Sequence, residues 1–520
     1  MTAARGLDER FVVPRWRTFA STLAVGELDV PRVTGEALDP SSEEDKLDLS
    51  SFVRHPGLHL AGDLLGRALH GVEGAVDALP ISEYVLGQDG SSAELRRLAV
   101  AVRAAVAGEP VPLHQSFEVV SGADPGKIVR AARTSLRRNP RNPVRWIDLA
   151  LAQTNSGELE KAERSIRTAL ALAPTNRFVL RAASRFFVHV GDPERAQAVV
   201  RPAASRMRDP WLLAAEIAAA DIVGAGSELI PSARRSLRSG DFTPAQASEL
   251  ACAIASHEFE AGQDKSGKRL LDRALVQPTE NAVAQAEFEA RRGNFTLPDE
   301  ILSREGTFEA RAIAFGARSQ WREAVRDAKK WQEDQSFAPD PAMYLSYVAS
   351  VCLEDYYVAA EAAKVGLVAN PGSAMLGNNY AFALANLGRV EEAEQVLDQY
   401  PASAFEESEQ AVRIATLGLL AFRGGKGVRG RELYRDAFVR AVDAGSHDQA
   451  AFAAAFWARE ELRLGSPMAG AVLEVAREAV RRSDGDDPAL VLARVERDAS
   501  GRAMSDGRAL DPNSVPGLLP

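Results

Sequence analysis

Few places in this 520-residue chain carry side chains whose types and spacing suggest chemistry. Gly425, Gly427 and Gly430 in the segment GKGVRG stand at the glycine spacing of a dinucleotide loop. Such a loop needs a preceding strand and a helix whose amino end faces a pyrophosphate, whereas this segment follows a helical pattern and reads as a turn between helices. His55 and His59 are four apart, with His70 following, a spacing that lets one helix face offer two imidazoles to zinc. No carboxylate motif completes that set, and Pro56 places His55 at a helix start. Cys252 and Cys352 lie in separate apolar helical stretches, as small buried hydrophobes do, rather than as a bridge or a metal site. No serine or cysteine stands in a nucleophile elbow, and Glu391 with Glu392 reads as a solvated helix face. The expectation is a protein without catalytic residues, cofactor or metal.

Charge placement is more telling. The whole chain carries a formal charge of −10, yet residues 127–209 hold 17 Lys and Arg against 7 Asp and Glu, so the remainder is strongly acidic. Arg177, Arg181 and Arg185 stand four apart and form one stripe of a helix. Guanidinium forks pair with carboxylate and phosphate, so the stripe suits an acidic peptide, a carboxylate or a phosphate-bearing partner. The other reading is a solvated basic face that balances the acidic remainder.

Positioning such a stripe requires helices. Hydrophobic residues at 46%, aromatics at only 7%, abundant Ala, Leu, Glu and Arg, and almost no alternating β-branched runs predict an all-α chain. Between Pro143 and Asn176 two amphipathic helices flank a turn at Asn155, Ser156 and Gly157, and Pro174 closes the unit. Trp146, Leu149 and Ala150 share one side of the first helix; Ala162, Ile166, Ala169 and Leu170 share one side of the second. One such hairpin cannot bury both of its apolar faces, so it needs neighbours.

These residues resemble the tetratricopeptide repeat family. Trp146, Leu149, Ala150, Gly157, Ala162, Ala169 and Pro174 fall at the signature places of its repeat of about 34 residues, with Gln153 where the family has an aromatic. A later unit, AMLGNNYAFALANLGRVEEAEQVLDQYP, repeats the pattern with Gly388 and with Ala393 one repeat length after Ala359. The resemblance implies a right-handed superhelical solenoid of helix pairs whose concave wall binds another protein or peptide, and it implies no reaction. It also implies that the outer part of each first helix lines the groove, which places Phe178, Arg181 and Arg185 there. Val144 begins the same groove, and Tyr344, Asn378 and Asn379 are the equivalent candidates in later units. The lysine-and-asparagine clamp that some members use for chaperone tails is not reproduced at Ile147 or Leu151, so that ligand is not expected.

In order, residues 1–54 read as an N-terminal segment with a partly disordered linker, and 55–125 as a helical cap or degenerate repeats. The repeat array spans 126–400, longer helix pairs over 401–498 complete the solenoid, Pro488 to Arg497 forms its closing helix, and 499–520 is a disordered tail. Neither a signal peptide nor a membrane span is read, so the expectation is a soluble cytoplasmic protein. The function expected is that of a non-enzymatic adaptor or scaffold for a protein or acidic peptide partner, its own copies included. The alternative is a nucleic-acid-sensing or regulatory subunit acting on a neighbouring nuclease or toxin through the basic 127–209 segment.

Overall fold

The signature pair begins as its residues dictate. The Asn142 side chain accepts the N–H groups of Val144 and Arg145, and Pro143 occupies the first helical position, where no N–H is needed. The first helix is released at Gly157, whose φ of 71° is the left-handed conformation that glycine adopts most readily. Gln153, standing where an aromatic was expected, is buried, and its carbonyl accepts from Ser165 of the second helix at 2.8 Å. A polar pair therefore does the joining that ring packing would do.

The computed structural model describes residues 14–17, 49–54, 56–58, 61–62, 64–65, 68, 77–91, 93–107, 125–138, 140–207, 209–239, 242, 244–293, 295–304 and 306–506. Among them the regular structure is helical, without strands. The chain divides into two compact units, one of described residues through Arg304, the other from Gly306 onward. The division falls inside the stretch that the sequence reads as one array.

The first unit contains α1 (Leu49–Arg54), α2 (Leu79–Gly87), α3 (Ala93–Ala107), α4 (Pro125–Arg138), α5 (Pro143–Thr154), α6 (Leu159–Leu172), α7 (Arg177–His189), α8 (Pro193–Met207), α9 (Pro210–Val223), α10 (Ile230–Ser239), α11 (Pro244–Glu260), α12 (Asp264–Ala274), α13 (Glu280–Arg292) and α14 (Asp299–Leu302). The second contains α15 (Phe308–Ala317), α16 (Trp321–Asp334), α17 (Pro339–Tyr347), α18 (Tyr356–Ala369), α19 (Ala374–Asn386), α20 (Val390–Asp398), α21 (Gln410–Arg423), α22 (Gly427–Asp443), α23 (His447–Leu464), α24 (Ala469–Arg481) and α25 (Asp486–Asp506). Around Phe52, Leu64, Leu65, Ile81, Val85 and Val102 lies a small separate core.

Consecutive first helices touch: α5, α7, α9, α11 and α13 in one unit, α17, α19, α21 and α23 in the other. Second helices pack on their own first helix and, in several pairs, on the first helix that follows, as α8 does on α9 and α18 on α19. Within each unit the first helices thus form the continuous inner layer. The contacts are as close as they are because the residues between helices are small. Ala150, Ala162, Ala183, Ala196, Ala251, Ala312, Ala324, Ala359 and Ala393 are all fully buried. These stacked pairs, joined by turns such as Gly191 and Gly388, make the fold a helical-repeat solenoid of the tetratricopeptide type.

Two local expectations are corrected. Pro210 opens α9 behind the Asp209 cap rather than closing the preceding pair, because Asp209 accepts the N–H groups of Trp211 and Leu212. The last helix runs past Arg497 to Asp506, because its buried stripe of Val491, Leu492, Val495 and Ala499 continues at helical spacing. Residues 499–506 are therefore helical, not tail. Between α17 and α18 the chain takes one wide π-turn, Val348–Cys352, and the guanidinium of Arg494 on α25 donates to the carbonyls of Val351 and Cys352.

GKGVRG is an inter-helix turn. Gly425 has φ 75°, and a side chain at Gly430 would meet the Phe422 ring 2.4 Å away. Gly430→Ala is expected to lower stability by about 1–3 kcal/mol in urea unfolding. Gly427→Ala, whose new methyl would press on the movable end of Leu464 and meet the Phe422 ring at ordinary contact distance, is expected to change it by less than about 0.5 kcal/mol.

Candidate partner-binding surfaces

The inner layer of the first unit carries the arginine stripe, and the stripe is already engaged. Arg177 pairs with Asp209 and lies over the Trp211 ring at 4.4 Å. Arg181 is only 8% exposed and pairs at 2.8 Å with Glu249 of α11, whose other oxygen accepts from Thr279 at 3.1 Å. Arg185 is half-buried beside His189, and burial, aided by that guanidinium, pushes the imidazole down to about 4, so it is neutral at pH 7. Val144 and Phe178 are half-buried at the starts of α5 and α7. Arg177 and Arg181 are thus paired within the chain rather than standing as open guanidiniums. Positions on one helix do not reveal that α9 and α11 bring up carboxylates to meet them.

A second feature of this inner layer comes from the chain itself. Residues 14–17 lie against it with no regular structure. Trp16, 1% exposed, sits edge-on to Phe186 of α7 with ring centroids 6.0 Å apart, and Arg17 bonds Glu280 at the start of α13 at 2.5 Å. In the sequence this segment reads only as part of an N-terminal stretch with a partly disordered linker. Its signal, a tryptophan between two arginines after a proline, is visible only in hindsight.

The unengaged cations of the basic stretch lie elsewhere. An open cleft of about 570 Å³ between the second helices α4 and α6 is lined by Arg133, Arg137, Lys161 and Arg164, over a floor that includes Leu136, Trp146 and Leu149. Lys161 pairs with Glu158, while Arg133, Arg137 and Arg164 have no ion-pair partner among the described residues. Among the described residues no carboxylate lines this cleft.

In the second unit the inner layer encloses a cavity of about 80 Å³ among α17, α19, α21 and α23. Its lining is neutral throughout: Phe382, Phe452, Phe456, Val412 and Tyr434 supply apolar wall, and Asn378, Asn379, Thr416 and Gln449 supply amides and a hydroxyl. Asn379 donates to Ser346 at 3.0 Å, Thr416 to the Val412 carbonyl, and Gln449 to the Ser408 carbonyl. Asn378 differs from these. It is 2% exposed, and neither end of its amide has a hydrogen-bond partner among the described residues. Tyr344 lies outside the cavity, its hydroxyl donating to the Ala312 carbonyl at 2.8 Å above Gly316. The structure thus brings Asn378 and Asn379 together and keeps Tyr344 for packing.

His55, His59 and His70 lie outside the described residues. Among the described residues no cluster of metal-ligating side chains occurs, both cysteines are buried thiols outside any disulfide, and no helix is long and apolar enough to cross a membrane.

Inner layers of first helices, with polar side chains set into them, give each unit the fold of stacked tetratricopeptide-type helix pairs. No protein-family profile matches the chain, and no curated protein matches it in sequence. Among solved structures it is similar to yeast Tom70, at 11% identity over 88% of this chain and 98% of that one, with a TM-score of 0.27. It is similar to the human IFIT1 dimer with PPP-AAAA at 12% identity, over 96% and 100% of the two chains, with a TM-score of 0.29. It is similar to the APC/C hetero-tetramer Cut9–Hcn1 at 12% identity, over 86% and 98%, with a TM-score of 0.29. Likeness at this level adds nothing to the reading of the surfaces, which rests on the chain's own geometry.

Because Arg181 and Glu249 are buried together, removing one leaves the other without its counter-charge. Arg181→Ala is expected to lower stability by about 3–5 kcal/mol, with most of it recovered when Arg181→Met is combined with Glu249→Leu. Urea unfolding measures both. Arg181→Glu should therefore show as unfolding, not as selective loss of a partner.

Proposed function

We propose that this protein is a non-enzymatic adaptor that holds an extended segment of a partner protein along the inner layer of its second unit, at Asn378 and Asn379. The observation that carries this reading is the unpartnered Asn378 amide, buried at a neutral, aromatic-walled cavity. A buried polar group without a partner is costly, so such a group is kept where a ligand completes it. A carboxamide offers one acceptor and one donor pair, the complement of a peptide bond's N–H and C=O. The absence of charge in the lining favours a neutral stretch of chain. A cavity of about 80 Å³ is smaller than the ~150 Å³ void that takes a benzene ring, so it suits one aliphatic side chain.

A second reading draws on the cleft between α4 and α6, where three arginines lack counter-charges and nucleic-acid phosphates would supply them. A salt-dependent mobility shift with single-stranded RNA, lost in Arg133→Glu with Arg164→Glu, would favour that reading for the first unit.

The adaptor reading is tested by selecting displayed peptides on the full chain. Selected peptides should share one Val, Leu or Ile at a fixed position. Asn378→Leu should raise stability in urea by roughly 1 kcal/mol, because the orphaned amide is gone, while weakening the selected peptides by about 1–3 kcal/mol. Peptide binding indifferent to Asn378→Leu removes this site.

A further inference from the structure

The segment Pro14–Arg17 is bound as a linear ligand is bound. It has no helix or strand of its own, yet Pro14 and Trp16 are buried. Its contacts reach two first helices that are not neighbours, Trp16 on α7 and Arg17 on α13. The indole stands against Phe186, which is itself edge-on to Phe187 at 5.4 Å, and Arg195 lies over Phe187 at 4.2 Å. The socket is therefore held from behind. Arg17 and Glu280 are both nearly buried, with side chains 11% and 13% exposed, so this ion pair is largely shielded from water.

A buried aromatic anchor beside a shielded arginine–carboxylate pair is the combination on which linear recognition concentrates its energy. We propose that the inner layer of the first unit, at Phe186 and Glu280, is a binding site for a partner segment with an aromatic residue followed by arginine, occupied in cis by Pro14–Arg17. The chemistry of the site is the reverse of that expected from the charge count. Arg177 and Arg181 are neutralised by Asp209 and Glu249, and the carboxylate of Glu280 receives a cation from the incoming segment. A tethered occupant competes intramolecularly, so a free partner must bind more tightly or be more concentrated to displace it. The site opens only to a tighter partner or when the segment is drawn away.

The test uses the full chain and a fluorescein-labelled peptide of residues 11–17, FVVPRWR. Wild-type protein is expected to bind it weakly. Trp16→Ala with Arg17→Glu, which empties the site, is expected to bind it at least ~10-fold more tightly. Adding Glu280→Lys to that variant should remove the gain. If the emptied variant keeps the wild-type unfolding midpoint and binds no better than wild type, the segment is a structural strap and the proposal fails. Should that variant not fold, Arg17→Glu alone replaces it, compared with the charge swap Arg17→Glu and Glu280→Arg. The single change is expected to admit the peptide and the swap to exclude it again; equal binding by all three chains overturns the site.

Discussion

The structure depends on how near two helices can come. Fully buried alanines at Ala150, Ala162, Ala359 and Ala393, and glycines at Gly366, Gly377 and Gly430 with neighbours where a side chain would begin, set that approach. A hairpin made this way is too thin to enclose a core by itself and becomes stable only through the next one. Stacking is thus a requirement of the sequence, and the continuous layer of first helices follows from it. That layer is where binding groups can be presented without breaking the stack.

Polar groups on such a layer must be satisfied or be waiting for something. The first unit shows the former: Arg177, Arg181 and Arg17 each have a carboxylate, on Asp209, Glu249 and Glu280. The second unit satisfies Asn379, Thr416 and Gln449 internally and leaves Asn378 without a hydrogen-bond partner among the described residues. Contrast within one layer is more informative than polarity itself, because a buried group lacking its bond lowers stability wherever it lies.

Much of the architecture was legible because it rests on local signals. Helical periodicity, turn glycines such as Gly157 and Gly388, and small residues at fixed offsets are all read within one repeat length. The placement of Asn378 and Asn379 on a first helix is local in the same way. The state of Arg181 was not, because its partner Glu249 is 68 residues away and arrives from a helix two pairs on. The role of Trp16 was equally hidden, since an isolated tryptophan in a stretch without periodicity has no pattern to belong to. Helix ends were misjudged where a cap or a continuing stripe decided them, as at Asp209 and Ala499.

A stack of like units has no natural stopping point, since every last pair offers the face that another pair would cover. Here the π-turn at Val348–Cys352 turns carbonyls out of the helical ladder, and Arg494, more than a hundred residues later in the chain, takes them up. The final helix is fastened to an irregularity that an ordinary unit lacks. Length in this protein is consequently a specified quantity: duplicating a unit between that turn and α25 would carry the fastener away from its eyelet, so growth or shrinkage by whole repeats is curbed there while sequence drift elsewhere stays free.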